Sequence, residues 1–223
     1  MNRINIIIVL MLFAVDSTGQ HKVVKPYSIQ PLPIEFDSTS IENVLSEKDV
    51  KRISDFLILI SRESMVENDG AKLYYKKDSN TWYGIDLNYE HITIDTVNLD
   101  NLGRPELILN CYAYRYGSGG GSGNGAFIVI NIDSYPTELM HVNNCCSQES
   151  FGRSYRNDNT STPAYSVEYQ RKIVCKNRSI IVSANNLSEL KLFKQTTRDQ
   201  CELTQIPSGI YRMIGGRLML PVK

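Results

Sequence analysis

The sequence predicts an α+β fold, with a mainly antiparallel β-sheet and one amphipathic helix packed on it. One segment, at about residues 47–64, carries apolar residues at helical spacing. After Gly70, short apolar runs alternate with turn residues, which is the pattern of antiparallel strands. A single helix that covers one face of such a sheet places the chain in the α+β class.

The first 19 residues have the layout of a secretory signal peptide. Arg3 supplies a positive charge, Ile6–Val15 is an unbroken apolar run, and small residues precede a cut before Gln20. The run is about ten residues, whereas a membrane-spanning helix needs about 20. We expect a secreted or periplasmic protein that loses residues 1–19, with residues 20–223 forming a single mature domain. The whole chain looks like the uncharacterised secreted domains of bacteria.

The predicted helix begins after Ser46, which forms a capping-box-like pair with Asp49. It ends before the turn residues Asn68 and Gly70. The apolar residues that share one helical face are Val50, Ile53, Phe56, Leu57 and Ile60.

The remaining elements are predicted as strands joined by turns. Asp78-Ser79-Asn80 predicts one hairpin turn and Gly215-Gly216 another, while the glycine-rich stretch Gly117–Gly125 is interpreted as a flexible hairpin connection. The predicted strands are Leu73–Tyr75, Trp82–Leu87, His91–Val97, Pro105–Tyr116, Ala126–Asp133, Glu138–Val142, Tyr165–Val174, Ser179–Ala184, Gly209–Met213 and Arg217–Val222.

Charge and hydropathy limit the classes of partner. Lys+Arg and Asp+Glu number 24 each, and no basic stripe is visible in the linear sequence, so nucleic acid is not an expected partner. After the leader, no apolar run is long enough to span a membrane.

The five cysteines are consistent with an oxidising compartment. An odd number leaves at least one thiol unpaired within the chain. Cys175 and Cys201 flank the C-terminal segment and are the predicted disulfide pair. The sequence has no Cys-x-x-Cys motif, so structural zinc is not expected.

The segment Asn98–Leu107 reads NLDNLGRPEL and concentrates side-chain oxygens at alternating positions. It resembles the calcium-loop phrase of FG-GAP/VCBS-type repeats. The resemblance implies that Asn98 and Asp100 are the first two metal ligands, that Gly103 is the turn glycine and that Glu106 is the closing carboxylate.

The same turn also has a purely structural interpretation. Leu102 stands where the family has its third acidic ligand, and the chain is too short for the four or so blades of a propeller. Asn and Asp side chains can instead bond to their own backbone. The sequence therefore predicts no cofactor, with calcium at this turn as the one alternative.

Tyrosines recur with period two at Tyr112, Tyr114 and Tyr116, which places them on one face of a strand. Such a row can stack on sugars or anchor a protein partner, because each ring is apolar with a polar tip. We predict that the three tyrosines, with Gly119 and Gly121 of the adjoining stretch, form a ligand-binding surface. Cross-strand packing within an ordinary sheet is the alternative.

Catalytic motifs are lacking. His91 and His141 are the two histidines away from the N-terminus, and no nucleophile motif accompanies them. The sequence therefore favours an exported, non-enzymatic binding or structural module of unknown ligand, with a glycan or a protein as the candidate partners. The alternative is a secreted hydrolase that acts on glycan or peptide through the carboxylates Asp100, Glu106 and Asp133.

Overall fold

In a computed structural model, the regular secondary structure of the described residues is almost entirely antiparallel β-strand. The structure describes residues 26–46, 50–60, 70–117, 120–133, 135–150, 153–154, 161–162, 165–184, 204 and 206–221. The predicted signal peptide, the proposed boundary at Gln20 and Cys201 lie outside these ranges.

An N-terminal sheet has the strand order β3-β7-β6-β5-β4. Its strands are β3 (Asp37–Ser40), β4 (Val50–Ser54), β5 (Leu57–Ile60), β6 (Ala71–Lys76) and β7 (Thr81–Leu87).

A central sheet has the order β14-β11-β10-β9-β8, with β2 paired to β11. Its strands are β2 (Leu32–Pro33), β8 (His91–Val97), β9 (Glu106–Gly117), β10 (Gly120–Asn131), β11 (Thr137–Ser150) and β14 (Tyr165–Gln170).

A C-terminal sheet has the order β1-β18-β17-β16-β15. Its strands are β1 (Tyr27–Ser28), β15 (Ile173–Lys176), β16 (Ser179–Val182), β17 (Gly209–Ile214) and β18 (Arg217–Leu220). The remaining ribbon pairs β12 (Arg153–Ser154) with β13 (Ser161–Thr162).

The central sheet is buried on both faces, which makes the fold a three-layer all-β structure. Leu107 and Leu109 of β9 pack in one core with the N-terminal sheet. Ile108 of β9 and Phe127 of β10 pack in a second core with the C-terminal sheet. Adjacent residues of one strand therefore enter different cores, as the twofold alternation of side chains requires.

The predicted α+β class and its helix at about 47–64 are wrong. Residues 50–60 of this segment fold instead as the hairpin β4–β5, and the described part of the chain contains no helix of seven or more residues. Leu57 and Leu59 face the core with the central sheet, while Ile58 and Ile60 face a cluster on the opposite side. Because both faces of β5 are buried, the apolar run shows no strand alternation, and periodicity alone cannot tell it from a buried helix.

The one helix of the described residues, α1 (Ile41–Ser46), lies just before the predicted one. Ser40 caps it by accepting a hydrogen bond from the Asn43 backbone N–H at 3.4 Å. Val44 packs with Tyr74 and Trp82 on the outer side of the N-terminal sheet. The helix therefore covers a sheet face, but over less than two turns.

The prediction for the glycine-rich stretch also needs correction. The predicted flexible connection Gly117–Gly125 belongs mostly to the strands, since β9 continues to Gly117 and β10 begins at Gly120. The register continues through the glycines, with Gly121 opposite Tyr116 and Gly125 opposite Tyr112. Glycine is a poor strand former by itself, so the strand must be stabilised by its neighbours.

Both predicted turns are confirmed. Asp78 Oδ1 accepts hydrogen bonds from the backbone N–H groups of Asn80 and Thr81, at 2.9 Å and 2.8 Å. Gly215 and Gly216 have φ values of +57° and +74°, a conformation that favours glycine.

Cysteine pairing differs from the prediction. Cys146 is disulfide-bonded. Cys175 carries a free thiol, so the predicted Cys175–Cys201 bond is not formed in this structure. Cys175 faces the inside of the C-terminal sheet and packs against the core that this sheet shares with the central sheet.

Among the described residues, no helix is long and apolar enough to cross a membrane.

The three-layer arrangement predicts that neighbouring residues of β9 are equally sensitive to truncation. Ile108→Ala and Leu109→Ala should each lower the free energy of unfolding by about 2–5 kcal/mol, because each leaves a cavity in a different core. Urea denaturation measures the effect. Thr96→Ala, at an exposed position of β8, is the control and should cost less than about 1 kcal/mol. A large loss at only one of the two β9 positions would contradict burial on both faces.

Candidate functional site

The predicted tyrosine row lies directly over the glycine strand. Tyr112 and Tyr114 of β9 share a sheet face with Gly121, Gly123 and Gly125 of β10. We call these five residues the tyrosine–glycine face. On β9, this is the same face that carries Ile108. The part of it near Ile108 packs in the second core, and the tyrosine–glycine face lies further along the strand.

The glycines are required because the tyrosine rings occupy the space of their missing side chains. A Cβ at Gly123 would lie 2.9 Å from Cζ of Tyr112 and 2.5 Å from Oγ of Ser147. A Cβ at Gly121 would lie 2.7 Å from Cζ of Tyr114. Each ring therefore leans along the sheet over the glycine strand and covers its backbone.

The two described rings are ordered relative to each other. Their centroids are 6.4 Å apart and their planes differ by 29°. The Tyr112 hydroxyl is 3.2 Å from the Ser147 hydroxyl, so this side chain crosses β10 and reaches β11. Both tyrosines are half-buried. The side chain of Tyr116 and all of Gly119 lie outside the part of the chain that the structure describes.

The second predicted site, the turn before β9, is built around the carboxyl group of Glu106. This side chain is completely buried. Its Oε2 accepts a hydrogen bond from the Leu99 N–H at 2.8 Å, and its Oε1 accepts one from the Asn131 amide at 3.3 Å. Burial raises the pKa of Glu106, although these hydrogen bonds oppose the shift.

Other polar side chains at the turn also form hydrogen bonds that hold the chain in place. Asp100 Oδ1 accepts a hydrogen bond from the Leu102 N–H at 2.7 Å, and the Asn98 amide donates to the Leu102 carbonyl at 3.3 Å. Asp133 accepts a hydrogen bond from the Arg104 N–H. Its carboxylate lies where a Cβ of Gly103 would be, and Gly103 has a φ of +54°. Glycine is therefore required at position 103, because a Cβ would collide with Asp133 and because the positive φ disfavours other residues.

Arg104 extends the turn to a second layer of the fold. Its guanidinium donates hydrogen bonds to the carbonyls of Lys76 and Lys77, at 2.7 Å and 3.4 Å. These residues lie at the hairpin between β6 and β7. The turn therefore ties one end of the central sheet to the N-terminal sheet.

These hydrogen bonds give the polar side chains of the turn a structural role, and calcium at this turn stays a prediction. Asp100 and Glu106, two of the predicted calcium ligands, accept hydrogen bonds from the backbone of the turn. The described residues contain no group of three or more His, Cys, Asp or Glu side chains placed to hold a metal ion.

The two predicted sites do not come together. Glu106 begins β9 and Tyr112 follows six positions later, so they are about 20 Å apart at about 3.3 Å per residue.

Sequence reasoning missed a hydrogen-bonded group formed by Tyr89, His141 and Glu138. The two ring nitrogens of His141 lie 3.0 Å from Glu138 Oε2 and 3.4 Å from the Tyr89 hydroxyl. Burial raises the pKa of Tyr89 to about 12, so its phenol stays protonated at neutral pH. A spacing of 52 positions between Tyr89 and His141 gives no local signal.

No protein-family model matches this chain, and neither the curated proteins nor the solved structures gave a match to it. The resemblance of Asn98–Leu107 to a calcium loop therefore stays a prediction, and function has to be argued from the site itself.

Gly123→Ala should lower the free energy of unfolding by about 1–3 kcal/mol, because the new methyl group must displace Tyr112 or Ser147. Thermal and urea denaturation measure this loss. The matched control is Ser122→Ala, at the adjacent exposed position of β10, which should be close to neutral. Equal effects at both positions would mean that the rings do not lie over the glycines.

Glu106→Gln should change how stability depends on pH. The folded-state pKa of Glu106 is raised, so the folded state holds the proton more tightly than the unfolded chain. Below the ordinary value of 4.5 the group is neutral in both states. As the pH rises through and above that value, the wild type loses stability while the variant does not.

The difference in melting temperature, variant minus wild type, should therefore increase between pH 4.5 and neutral pH. Glu35→Gln, on an exposed side chain, is the control and should leave this difference unchanged across the range. A difference that stayed constant or shrank over this range would contradict the raised pKa.

Proposed function

We propose that this protein is an exported, non-enzymatic binding or structural module whose ligand-contacting surface is the tyrosine–glycine face. The observation that carries the proposal is the pair of stacked rings of Tyr112 and Tyr114 over a strand of glycines. Export rests on the sequence of residues 1–19 alone. The ligand class that we propose is a glycan or a protein.

Rigid aromatic rings are suited to recognition because little conformational entropy is lost when a ligand binds. Tyr112 is held at its hydroxyl by Ser147 and along its ring by the glycine strand. Each tyrosine combines an apolar ring with a hydroxyl that can donate and accept hydrogen bonds. Sugar rings and protein side chains both offer matching apolar and polar groups.

The hydrolase alternative has less support. Of its three carboxylates, Glu106 is completely buried and Asp100 and Asp133 accept hydrogen bonds from backbone N–H groups of the turn. A glycosidase needs two carboxyl groups that face the substrate across a scissile bond. The raised pKa of Glu106 has a structural cause, its burial, and does not by itself mark a catalytic acid.

The binding proposal predicts retention on polysaccharide. We expect the protein to co-sediment with insoluble chitin or with purified peptidoglycan, and Tyr114→Ser to reduce the retained fraction about tenfold, since the loss of one stacked ring removes about 1.4 kcal/mol or more. Tyr114→Phe keeps the ring and should keep most of the retention.

The matched control is Tyr135→Ser, because Tyr135 is 65% exposed and lies on the turn before β11. It should leave retention unchanged. Melting curves of each variant show whether the fold is intact. If Tyr114→Ser and Tyr135→Ser behave alike, the tyrosine–glycine face is not the binding surface. If the wild type is retained on neither material, chitin and peptidoglycan are excluded as its ligands.

A further inference from the structure

The C-terminal sheet has two faces of very different composition. Its inner face packs against the central sheet through Ile173, Ile180, Tyr211 and Leu218. The alternate residues of β15–β18 point the other way and form what we call the outer face. This face consists of Lys172, Val174, Lys176, Ser179, Ile181, Ile210, Arg212, Ile214, Arg217 and Met219.

An apolar row crosses the outer face. The register places Val174 opposite Ile181, and Ile181 opposite Ile210, so the three side chains are neighbours on three successive strands. Val174 is 36% exposed and Ile210 47%, while Ile181 between them is partly exposed. Ile214, four positions further along β17, is 49% exposed. Side chains of this size that are exposed together, rather than singly, mark an interaction surface.

The charges of the outer face are all positive. Lys172, Lys176, Arg212 and Arg217 are exposed on it, and Arg178 is exposed at the β15–β16 turn. Residues 171–184 and 206–221, which contain these strands, include no aspartate or glutamate. None of the five cations forms an ion pair with a described residue. The chain as a whole is neutral, so this face is a local concentration of positive charge.

We propose that the outer face of the C-terminal sheet binds an anionic phospholipid surface. The cations attract acidic headgroups, and the aliphatic side chains of the apolar row enter the boundary between headgroups and acyl chains. The exposed side chains of the outer face are almost entirely cationic or aliphatic. A lipid surface offers acidic headgroups to the cations and an apolar region to the aliphatic side chains, and neither contact requires a precise hydrogen-bonding pattern.

Other occupants fit the outer face less well. A second copy of the same face would bring like charges together, which is unfavourable. Sites for single-stranded nucleic acid combine cations with aromatic rings that stack on bases, and β15–β18 present no aromatic side chain on this face. The proposal is independent of the tyrosine–glycine face, which lies on the central sheet.

The test is co-sedimentation of the full-length protein with vesicles of phosphatidylcholine alone and of equal parts phosphatidylcholine and phosphatidylglycerol. The wild type should bind the mixed vesicles more tightly, and salt at about 0.5 M should release it, because the attraction is then screened. The double variant Lys176→Glu/Arg212→Glu should lose about tenfold or more of the affinity that phosphatidylglycerol adds.

The matched control is Lys51→Glu/Arg52→Glu, at two exposed cations of β4 in the N-terminal sheet. It changes the net charge by the same amount and should keep the binding to mixed vesicles. The apolar run Ile6–Val15 is common to all these proteins, so its contribution cancels in the comparison. Melting curves verify that each variant is folded.

A third variant tests the apolar row, since Ile210→Ser should weaken binding to the mixed vesicles without changing the charge. The proposal is overturned if the wild type shows no preference for phosphatidylglycerol, or if the two double variants lose affinity equally. It is also overturned if the outer face retains duplex DNA, with loss in Lys176→Glu/Arg212→Glu, while the mixed vesicles bind nothing.

Discussion

The structure depends on the burial of both faces of β9 and β10. These two strands must be apolar at consecutive positions, since Leu107 and Leu109 enter one core while Ile108 enters the other. The C-terminal sheet packs against the central sheet through one apolar face. The N-terminal sheet is apolar on both faces, since its outer side buries Ile58 and Trp82 in a cluster with Val44 of α1. The turn anchored by Glu106 lies at the start of β9, so the buried carboxyl group fixes the point at which this doubly buried strand begins.

The parts of the fold that could be predicted are those set by local chemistry. Asp78 specifies its turn by accepting two backbone hydrogen bonds, and Gly215 and Gly216 specify theirs through positive φ values. The error at residues 47–64 has a tertiary cause. Leu57–Ile60 is apolar at every position because layers lie on both sides of β5, and the sequence does not show that the second layer exists.

The candidate site could also be predicted only in part, because the rest of it depends on contacts between residues on different strands. The recurrence of tyrosine at every second position predicts that Tyr112 and Tyr114 share one face of a strand. The composition of the glycines opposite them favours a loop, so the sequence predicts a hairpin connection there and not a strand. The strand exists because the rings replace the packing that glycine lacks, and this contact joins residues on different strands. The group of Tyr89, His141 and Glu138 could not be predicted either, because only the fold brings Tyr89 near the other two.

The adjacent cysteines of β11 have a consequence for oxidative folding. Successive side chains of a strand point to opposite faces. Cys145 lies on the same sheet face as Gly125, because a Cβ built on Gly125 would lie 2.8 Å from the Cβ of Cys145. Cys146, which is disulfide-bonded, lies on the opposite face. A β11 slipped by one residue would exchange the faces of the two cysteines, and the same slip would turn Met140 and Val142 out of their core. Correct pairing of β11 therefore places Cys146, and not Cys145, on the face where the disulfide is formed.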